Sequence, residues 1–229
     1  RDIDDYDQIY VMDSDGSNIK QLTFNNFHTT QPEWSPDGKS IIYIAYHEGF
    51  SDQRELPDPE VFMMQSDGTN QFQLTNNDML YEKSLSWSPV TDLIAIEIGN
   101  PNISRHSLEI YLMNDAGEIL EQLTSSENNI RPKWSPDGKS IVFKNYNNPN
   151  CSGINILNIE TLSQHCIVIE NKNELIGGED PSWSPDGKFI IFSSGYDGDR
   201  DLYIMEADGT NVRKITNLPG DELSPDWAK

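Results

Sequence analysis

A short phrase centred on tryptophan recurs along the whole sequence. WSPDGKSIIYI begins at Trp34, WSPDGKSIVFK at Trp134 and WSPDGKFIIFS at Trp183, while a degenerate copy, WSPVTDLIAIE, begins at Trp87. A bare DWAK contains Trp227, so successive tryptophans are 53, 47, 49 and 44 residues apart. Self-similarity at such a period is typical of propellers and other repeat folds.

A second phrase alternates with the first and has the pattern of a β-hairpin. Its copies IYVMDSDGSNIKQLT, VFMMQSDGTNQFQLT, IYLMNDAGEILEQLT and LYIMEADGTNVRKIT begin at Ile9, Val61, Ile110 and Leu202. A fifth copy at Ile154 lacks the Asp-Gly turn. Asp-Gly between two apolar runs is a strong hairpin signal, because glycine adopts positive φ without steric cost.

Together the two phrases predict four strands in each period. The second strands, Ser40 to Tyr46, Ser140 to Phe143 and Phe189 to Phe192, each follow a Pro-Asp-Gly turn and are too short for helices. Four-stranded units at this period are blades of a β-propeller. We therefore expect an all-β fold, a β-propeller of four-stranded antiparallel blades, with about five blades or as part of a six-bladed ring.

The repeats also predict how the single domain, residues 1–229, divides. Its ends supply the first, third and fourth strands of one further blade, so closure of that blade would mix the two termini. The expected units are residues 1–33 with 217–229, then 34–86, 87–133, 134–182 and 183–216.

Tryptophan and cysteine give two expectations about packing. Trp34, Trp134 and Trp183 hold the same place in their repeats, so each should be largely buried between neighbouring blades.

Cys151 and Cys166 lie in one blade. Placing Cys166 opposite a residue near Leu157 separates the two cysteines by more than a disulfide spans, which predicts free thiols.

Charge excludes several classes of partner. The chain has 16 Lys and Arg against 38 Asp and Glu, a formal net charge of −22. Because such a chain repels phosphate, we expect no nucleic-acid partner and no anionic membrane surface. No window has the roughly 18 consecutive apolar residues of a membrane helix, so we expect no membrane insertion.

WSPDGK followed by a strand, with IYVMDADG-like and QLT-like segments, resembles the WD40-like (PD40) propeller repeats of the TolB family. Similar repeats occur in propellers of tricorn-type and prolyl-oligopeptidase-type peptidases and in some oligogalacturonate lyases. The resemblance implies a non-catalytic scaffold that binds a protein or peptide in an extracytoplasmic place: periplasm, cell surface or secreted. It leaves open a metal-dependent polysaccharide lyase or hydrolase at the channel mouth, or the gating propeller of a larger peptidase.

Loop length predicts which face of the propeller binds. The Ser-Pro-Asp-Gly and Asp-Gly turns fall on one face, while the long connections fall on the other, which we call the long-loop face. Acidic residues there favour a basic or cation-bridged partner. The binding candidates in these connections are Phe24, Phe27, His28, Glu33, Tyr81, Arg131, Asp180 and Asp226.

Metal binding receives weaker support from the sequence. His28, His47 and His106 fall in long-loop segments, but at no recognisable ligand spacing. Asp-rich stretches at 2–7, 13–18 and 197–201 resemble calcium loops, yet hairpin geometry already explains their Asp-Gly turns. We expect no catalytic residues and no cofactor beyond weakly bound Ca²⁺.

Overall fold

In the computed structural model, the chain is built from strands and turns. The structure describes residues 6–47, 58–76, 81–99, 107–125, 128–146, 153–167, 170–171, 174–175, 178–195 and 198–227. These residues form twenty strands and no helix, and so contain no helix able to cross a membrane. The prediction of an all-β fold is confirmed.

The strands assemble into four four-stranded antiparallel sheets and two short pairs. The first pair, β1 (Tyr10–Val11) and β2 (Lys20–Gln21), precedes blade 1, and the second, β15 (Glu170–Asn171) and β16 (Glu174–Leu175), separates blades 3 and 4. Blade 1 is β3 (Thr29–Trp34), β4 (Ser40–His47), β5 (Asp58–Gln65) and β6 (Phe72–Gln73). Blade 2 is β7 (Tyr81–Trp87), β8 (Leu93–Gly99), β9 (Leu108–Asn114) and β10 (Ile119–Gln122). Blade 3 is β11 (Asn129–Trp134), β12 (Ser140–Asn145), β13 (Gly153–Asn158) and β14 (Gln164–Ile167). Blade 4 is β17 (Glu179–Trp183), β18 (Phe189–Ser194), β19 (Asp201–Glu206) and β20 (Arg213–Lys214).

The repeated turns use the residues that their geometry demands. In blade 1 the Ser35 hydroxyl donates to Asp37 at 2.8 Å and accepts the Ser40 amide at 2.9 Å, which closes the Ser-Pro-Asp-Gly turn. Hydrogen bonds from Lys39 and Ser35 lower the pKa of Asp37 to about 2. At the second kind of turn Gly209 has a φ of +86°, and a Cβ there would lie 2.7 Å from Ile167. Both turns therefore serve the fold.

Three tryptophans pack against the blade that precedes their own, whereas Trp34 corrects one expectation. Trp87, Trp134 and Trp183 join clusters that contain core residues of the preceding blade. Trp134 is 7% exposed and Trp183 is partly buried, but Trp34 is 47% exposed, so the prediction that Trp34 is buried was wrong. The reason is that the sheet preceding blade 1 consists of β1 and β2 alone, with two residues each.

In three of the repeats, the threonine that follows Leu or Ile at the end of the second phrase joins its sheet to the next blade. Its hydroxyl bonds to the side chain five residues before the next tryptophan: Thr23 to Thr29 at 2.9 Å, Thr75 to Glu82 at 2.8 Å, and Thr216 to Glu222 at 2.8 Å. In the repeat of blade 3 the sequence has Val168 at the place of this threonine, and the residue five positions before Trp183 is Gly178. Donor and acceptor are therefore absent together.

The terminal segment, residues 222–227, occupies the place of a fifth innermost strand without forming strand hydrogen bonds. Besides the Thr216–Glu222 contact, the Trp227 indole donates to the Ser182 carbonyl at 3.2 Å and the Ser182 hydroxyl donates to Asp226 at 3.0 Å. Whether this segment and β1–β2 share one blade stays a prediction.

The cysteine prediction was wrong, because Cys166 is disulfide-bonded. Cys151, the other cysteine of the sequence, lies outside the described residues. The hairpin register places Cys166 opposite Asn155 rather than near Leu157. The residue opposite Cys166 is therefore two positions nearer to the start of β13, and two positions nearer to Cys151 in the sequence, than was expected.

Candidate functional site

A cavity of about 390 Å³ opens where the innermost strands of the four blades converge with the terminal segment. Its wall takes residues from the innermost strands β3, β7, β11 and β17, from the second strands β4 and β8, and from Ser224 to Asp226. Each blade contributes its first strand, so the cavity lies in the central channel of the propeller. It is the natural place for a ligand in this architecture.

A backbone irregularity recurs around this channel. Gln31, Arg131, Asp180 and Ser224 each stand three residues before a tryptophan and directly before proline, with φ between 50° and 54°. Non-glycine residues rarely adopt this left-handed region. In β3, β11 and β17 the strand register shifts by one residue at this point, which is a β-bulge. Bulges re-aim side chains, and these four residues all line the cavity.

Near the tryptophans an ion pair crosses the channel. The Lys133 ammonium of blade 3 bonds the Glu33 carboxylate of blade 1. Burial by itself lowers the pKa of Lys133, but the nearby carboxylates of Glu33 and, more weakly, Asp226 outweigh it, so this pKa is raised. Lys133 therefore remains charged at neutral pH.

A second ion pair lies at the bulges, toward the long-loop face. Arg131 of β11 pairs with Asp180 of β17, which joins blades 3 and 4. Asp180 also accepts the hydroxyl of Ser224 at 3.2 Å. The Arg131 side chain keeps 48% of its surface exposed, whereas Asp180 keeps 10%. The arginine therefore presents part of its guanidinium to a ligand while the carboxylate is largely covered.

Glu97 of β8 is the most deeply buried charged residue of the cavity wall, with 2% exposure. Its Oε2 accepts the Ser84 hydroxyl at 2.6 Å and the Arg131 amide at 3.0 Å. Burial raises the pKa of Glu97, and these hydrogen bonds and the charges of Lys83 and Arg131 oppose the rise only in part. Burial also raises the pKa values of Tyr46 and Tyr81, to which the charge of Glu97 contributes.

A further polar group borders the site at the start of blade 4. Glu179 accepts the Tyr146 hydroxyl at 3.3 Å and pairs with Arg200 at 3.2 Å. The ammonium of Lys144 lies 4.8 Å from the centre of the Tyr146 ring, a cation–π contact. Burial lowers the pKa of Lys144.

The structure brings together only part of the predicted site. Glu33, Arg131, Asp180 and Asp226 meet around the channel, and Tyr81 stands within electrostatic range of Glu97. Four of the candidates, however, lie in innermost strands and not in loops as expected: Glu33, Tyr81, Arg131 and Asp180.

Phe24, Phe27 and His28 belong to the connection between β2 and β3 and do not line the cavity. Phe24 is 75% exposed, whereas Phe27 packs against the core between β1–β2 and blade 1. His28 bonds Asp7 at 3.1 Å. These three candidates therefore form a separate part of the surface.

The described residues contain no arrangement of side chains that supports the metal-binding interpretations. Among them no three His, Cys, Asp or Glu side chains stand close enough to hold an ion. His106 and Asp197 lie outside the described residues, as does the side chain of His47. In the Asp-Gly turns the carboxylates serve the turn itself, as Asp15 does by accepting the Ser17 amide at 2.9 Å. Weak calcium binding stays a prediction.

Comparison with known proteins defines the class first: this chain is a β-propeller. Its structure superposes on a crystal structure of TolB from Acinetobacter baumannii with a TM-score of 0.74, 19% identity, and coverage of 94% of this chain and 50% of that one. It also superposes on an oligogalacturonate lyase in complex with manganese, with a TM-score of 0.59, 20% identity, and coverage of 86% and 53%. At these identities the likeness shows the fold.

The sequence then gives the family. The TolB beta propeller domain (PD40) matches residues 2–143 and 98–229, so the chain belongs to this family. A protein TolB homolog from Chlorobium luteolum is 30% identical over 126 residues, which are 52% of this chain and 26% of that protein. The Tol-Pal system protein TolB of a Wolbachia strain (wRi) is 50% identical over 44 residues, 19% of this chain and 10% of that protein. The matches thus span about a quarter or less of these relatives.

Of the residues that line the cavity, only Arg131, Asp180 and Asp226 were predicted from the sequence. The polar residues that sequence reasoning missed are Gln31, Tyr46, Lys83, Ser84, Glu97, Lys133 and Ser224. One signal was available for Glu97. Ten residues after the tryptophan, the other blades have Ile44, Lys144 and Ser193, so the repeat itself does not call for a carboxylate there.

Proposed function

We propose that this propeller is a non-catalytic, extracytoplasmic scaffold that binds a protein or peptide through the long-loop face and the channel mouth. The proposal takes its general class from membership of the TolB beta propeller domain family. One relative is a Tol-Pal system protein, which supports a role as part of a protein assembly.

The composition of the cavity wall is the observation that favours the long-loop face, and not the turn face, as the binding surface. Innermost strands of four blades and the terminal segment supply it with amide, hydroxyl, ammonium, guanidinium and carboxylate groups. A rigid rim with few, fixed polar groups suits recognition of an inserted segment. The turn face instead uses its polar side chains within its own turns, as Asp37 and Asp15 do.

The proposed partner is basic or is bridged by cations. Support comes from the net charge of −22, whose field attracts positive partners and weakens with added salt. It does not come from the carboxylates of Glu33 and Asp180, because Lys133 and Arg131 already pair with them. We therefore expect association that becomes weaker and slower as ionic strength rises.

A quantitative capture experiment tests the face. Immobilised wild-type protein is compared with Asp226→Asn at the channel and Asp15→Asn in an Asp-Gly turn, two exposed aspartates whose replacement changes the net charge equally. We expect a specific partner from an envelope extract to be lost with Asp226→Asn and retained with Asp15→Asn. Equal retention by both variants would contradict binding at the channel mouth.

An enzymatic role is the alternative that one structural neighbour raises, since that neighbour is an oligogalacturonate lyase in complex with manganese. The two functions differ in their need for a metal. A stoichiometric transition metal bound by the purified chain would favour the enzyme and count against the scaffold.

A further inference from the structure

Glu97 has chemistry that the fold does not require. The equivalent positions of the other three blades have Ile44, Lys144 and Ser193. A buried carboxylate without a counter-ion costs free energy, so the fold would be served better by an apolar residue. Residues that oppose stability in this way are typical of binding sites.

Only one of the two carboxylate oxygens of Glu97 accepts hydrogen bonds from the described part of the protein. Both of its hydrogen bonds, from Ser84 and from the Arg131 amide, are accepted by Oε2. In the part of the chain that the structure describes, Oε1 has no hydrogen-bond donor and no Lys or Arg lies within ion-pair distance. Since Glu97 lines the cavity, a ligand can reach this oxygen.

The surroundings of Glu97 suit a cation with an apolar stem. Tyr46 lines the same cavity, and Tyr81 pairs with Gly99, two residues along β8 from Glu97 and therefore on the same face of the strand. Aromatic rings attract ammonium and guanidinium groups through their negative faces and pack against methylene stems.

The charged groups that face Glu97 do not already fill this role. Arg131 contributes its amide to Glu97, while its guanidinium is engaged by Asp180. Lys83 lines the same cavity but is exposed, and among the described residues its ammonium forms no ion pair with Glu97. The two phenols stay neutral at physiological pH because burial raises their pKa values further.

We propose that Glu97, Tyr46 and Tyr81 form a pocket at the channel mouth for one basic side chain, lysine or arginine, of the partner. The inference rests on the proposed function and adds the chemical group that is recognised. The incoming cation forms the ion pair that Glu97 lacks, and the rings cover its stem.

Short peptides test the pocket without the natural partner. Binding of acetyl-Gly-Arg-Gly-amide and acetyl-Gly-Lys-Gly-amide is measured by NMR titration at pH 7 and compared with acetyl-Gly-citrulline-Gly-amide, in which the arginine is replaced by a neutral isostere. A charge-assisted hydrogen bond predicts that the basic peptides bind about tenfold more tightly than the citrulline peptide. Binding of the basic peptides should also weaken as the pH falls and Glu97 takes up a proton.

Two variants with the same change of net charge separate the pocket from the general field of the protein. Glu97→Gln should abolish the preference for the basic peptides, whereas Glu121→Gln, on the exposed strand β10, should keep it within about twofold. Equal binding of the citrulline peptide, or equal losses in both variants, would overturn the pocket. Failure of the Asp226→Asn capture experiment with intact peptide selectivity would instead overturn the proposed function alone.

Discussion

Lys133 of β11 forms an ion pair with Glu33 of β3, a residue one hundred positions earlier in the chain and two blades away. The pair spans the channel, with the charge of Asp226 from the terminal segment nearby. The ammonium group of Lys133 thus interacts with carboxylates from two parts of the chain that are distant from it in sequence, β3 and the terminal segment. The contact constrains the channel below the cavity mouth.

Replacing Lys133 with methionine should destabilise the fold, because the carboxylates of Glu33 and Asp226 then face one another without the cation. The Lys133 side chain keeps 37% exposure, so the cost should be about 1 to 2 kcal/mol, less than for a fully buried pair. Urea unfolding measures it. The double variant Glu33→Gln with Lys133→Met should recover part of the loss, and a double variant less stable than the single one would contradict the pairing.

The tryptophans provide a matched comparison of packing. Trp134→Ala should cost about 3 to 5 kcal/mol, because Trp134 is 7% exposed between blades 2 and 3. Trp34→Ala should cost only about 1 to 2 kcal/mol, since 47% of Trp34 remains in contact with solvent. Chemical denaturation of both variants measures the difference. Equal losses would show that the sheet before blade 1 covers Trp34 as completely as the other blades cover theirs.

The pKa of Glu97 predicts a pH-dependent stability. Burial raises this pKa above its ordinary value of 4.5, so the folded state binds a proton more tightly than the unfolded state. The resulting stabilisation is fully present below the unfolded pKa and is lost as pH rises through the folded pKa. Glu97→Gln has no such proton to lose.

The free energy of unfolding of Glu97→Gln, relative to wild type, should therefore increase from acid to neutral pH. Glu121→Gln, at an exposed site, should show no comparable trend. Thermal unfolding over this pH range measures both variants. A relative loss of stability by Glu97→Gln toward neutral pH would mean that Glu97 is stabilised as a carboxylate in the free protein.

Local turn chemistry explains why much of the fold could be predicted from the sequence. Pro-Asp-Gly and Asp-Gly have specific backbone requirements, so they located the second, third and fourth strands of the blades directly. Innermost strands that end at the tryptophans were predicted, but the residues before each tryptophan were assigned to the long connections, because proline interrupts the alternation in segments such as Thr29–Trp34. Their bulges are visible only when the strands pair.

The rest of the site depends on neighbours that local patterns do not reveal. Trp34 shares its phrase with Trp134, and only the incomplete sheet before it leaves it exposed. The cross-channel contact of Lys133 and Glu33 requires the ring to form first. Glu97 lies inside a strand that was correctly predicted, but its significance comes from the cavity, which six other segments of the chain complete.

The disulfide of Cys166 should be detectable by thiol titration. In denaturant without reductant the chain should show no reactive thiol, and after reduction it should show two. For a loop of about 15 residues, reduction should lower the stability by about 3 kcal/mol. Two thiols in the unreduced, denatured chain would contradict the bond.

Photo-cross-linking from two lysines tests most directly whether the channel mouth on the long-loop face is the working surface. Lys83 lines the cavity and Lys139 lies in a Ser-Pro-Asp-Gly turn, and both are exposed. Each is replaced separately by benzoylphenylalanine, so size and charge change equally, and cells that produce the protein are irradiated. We predict a specific protein adduct from position 83 and none from position 139. An adduct from position 139 with none from position 83 would place the binding surface on the opposite face.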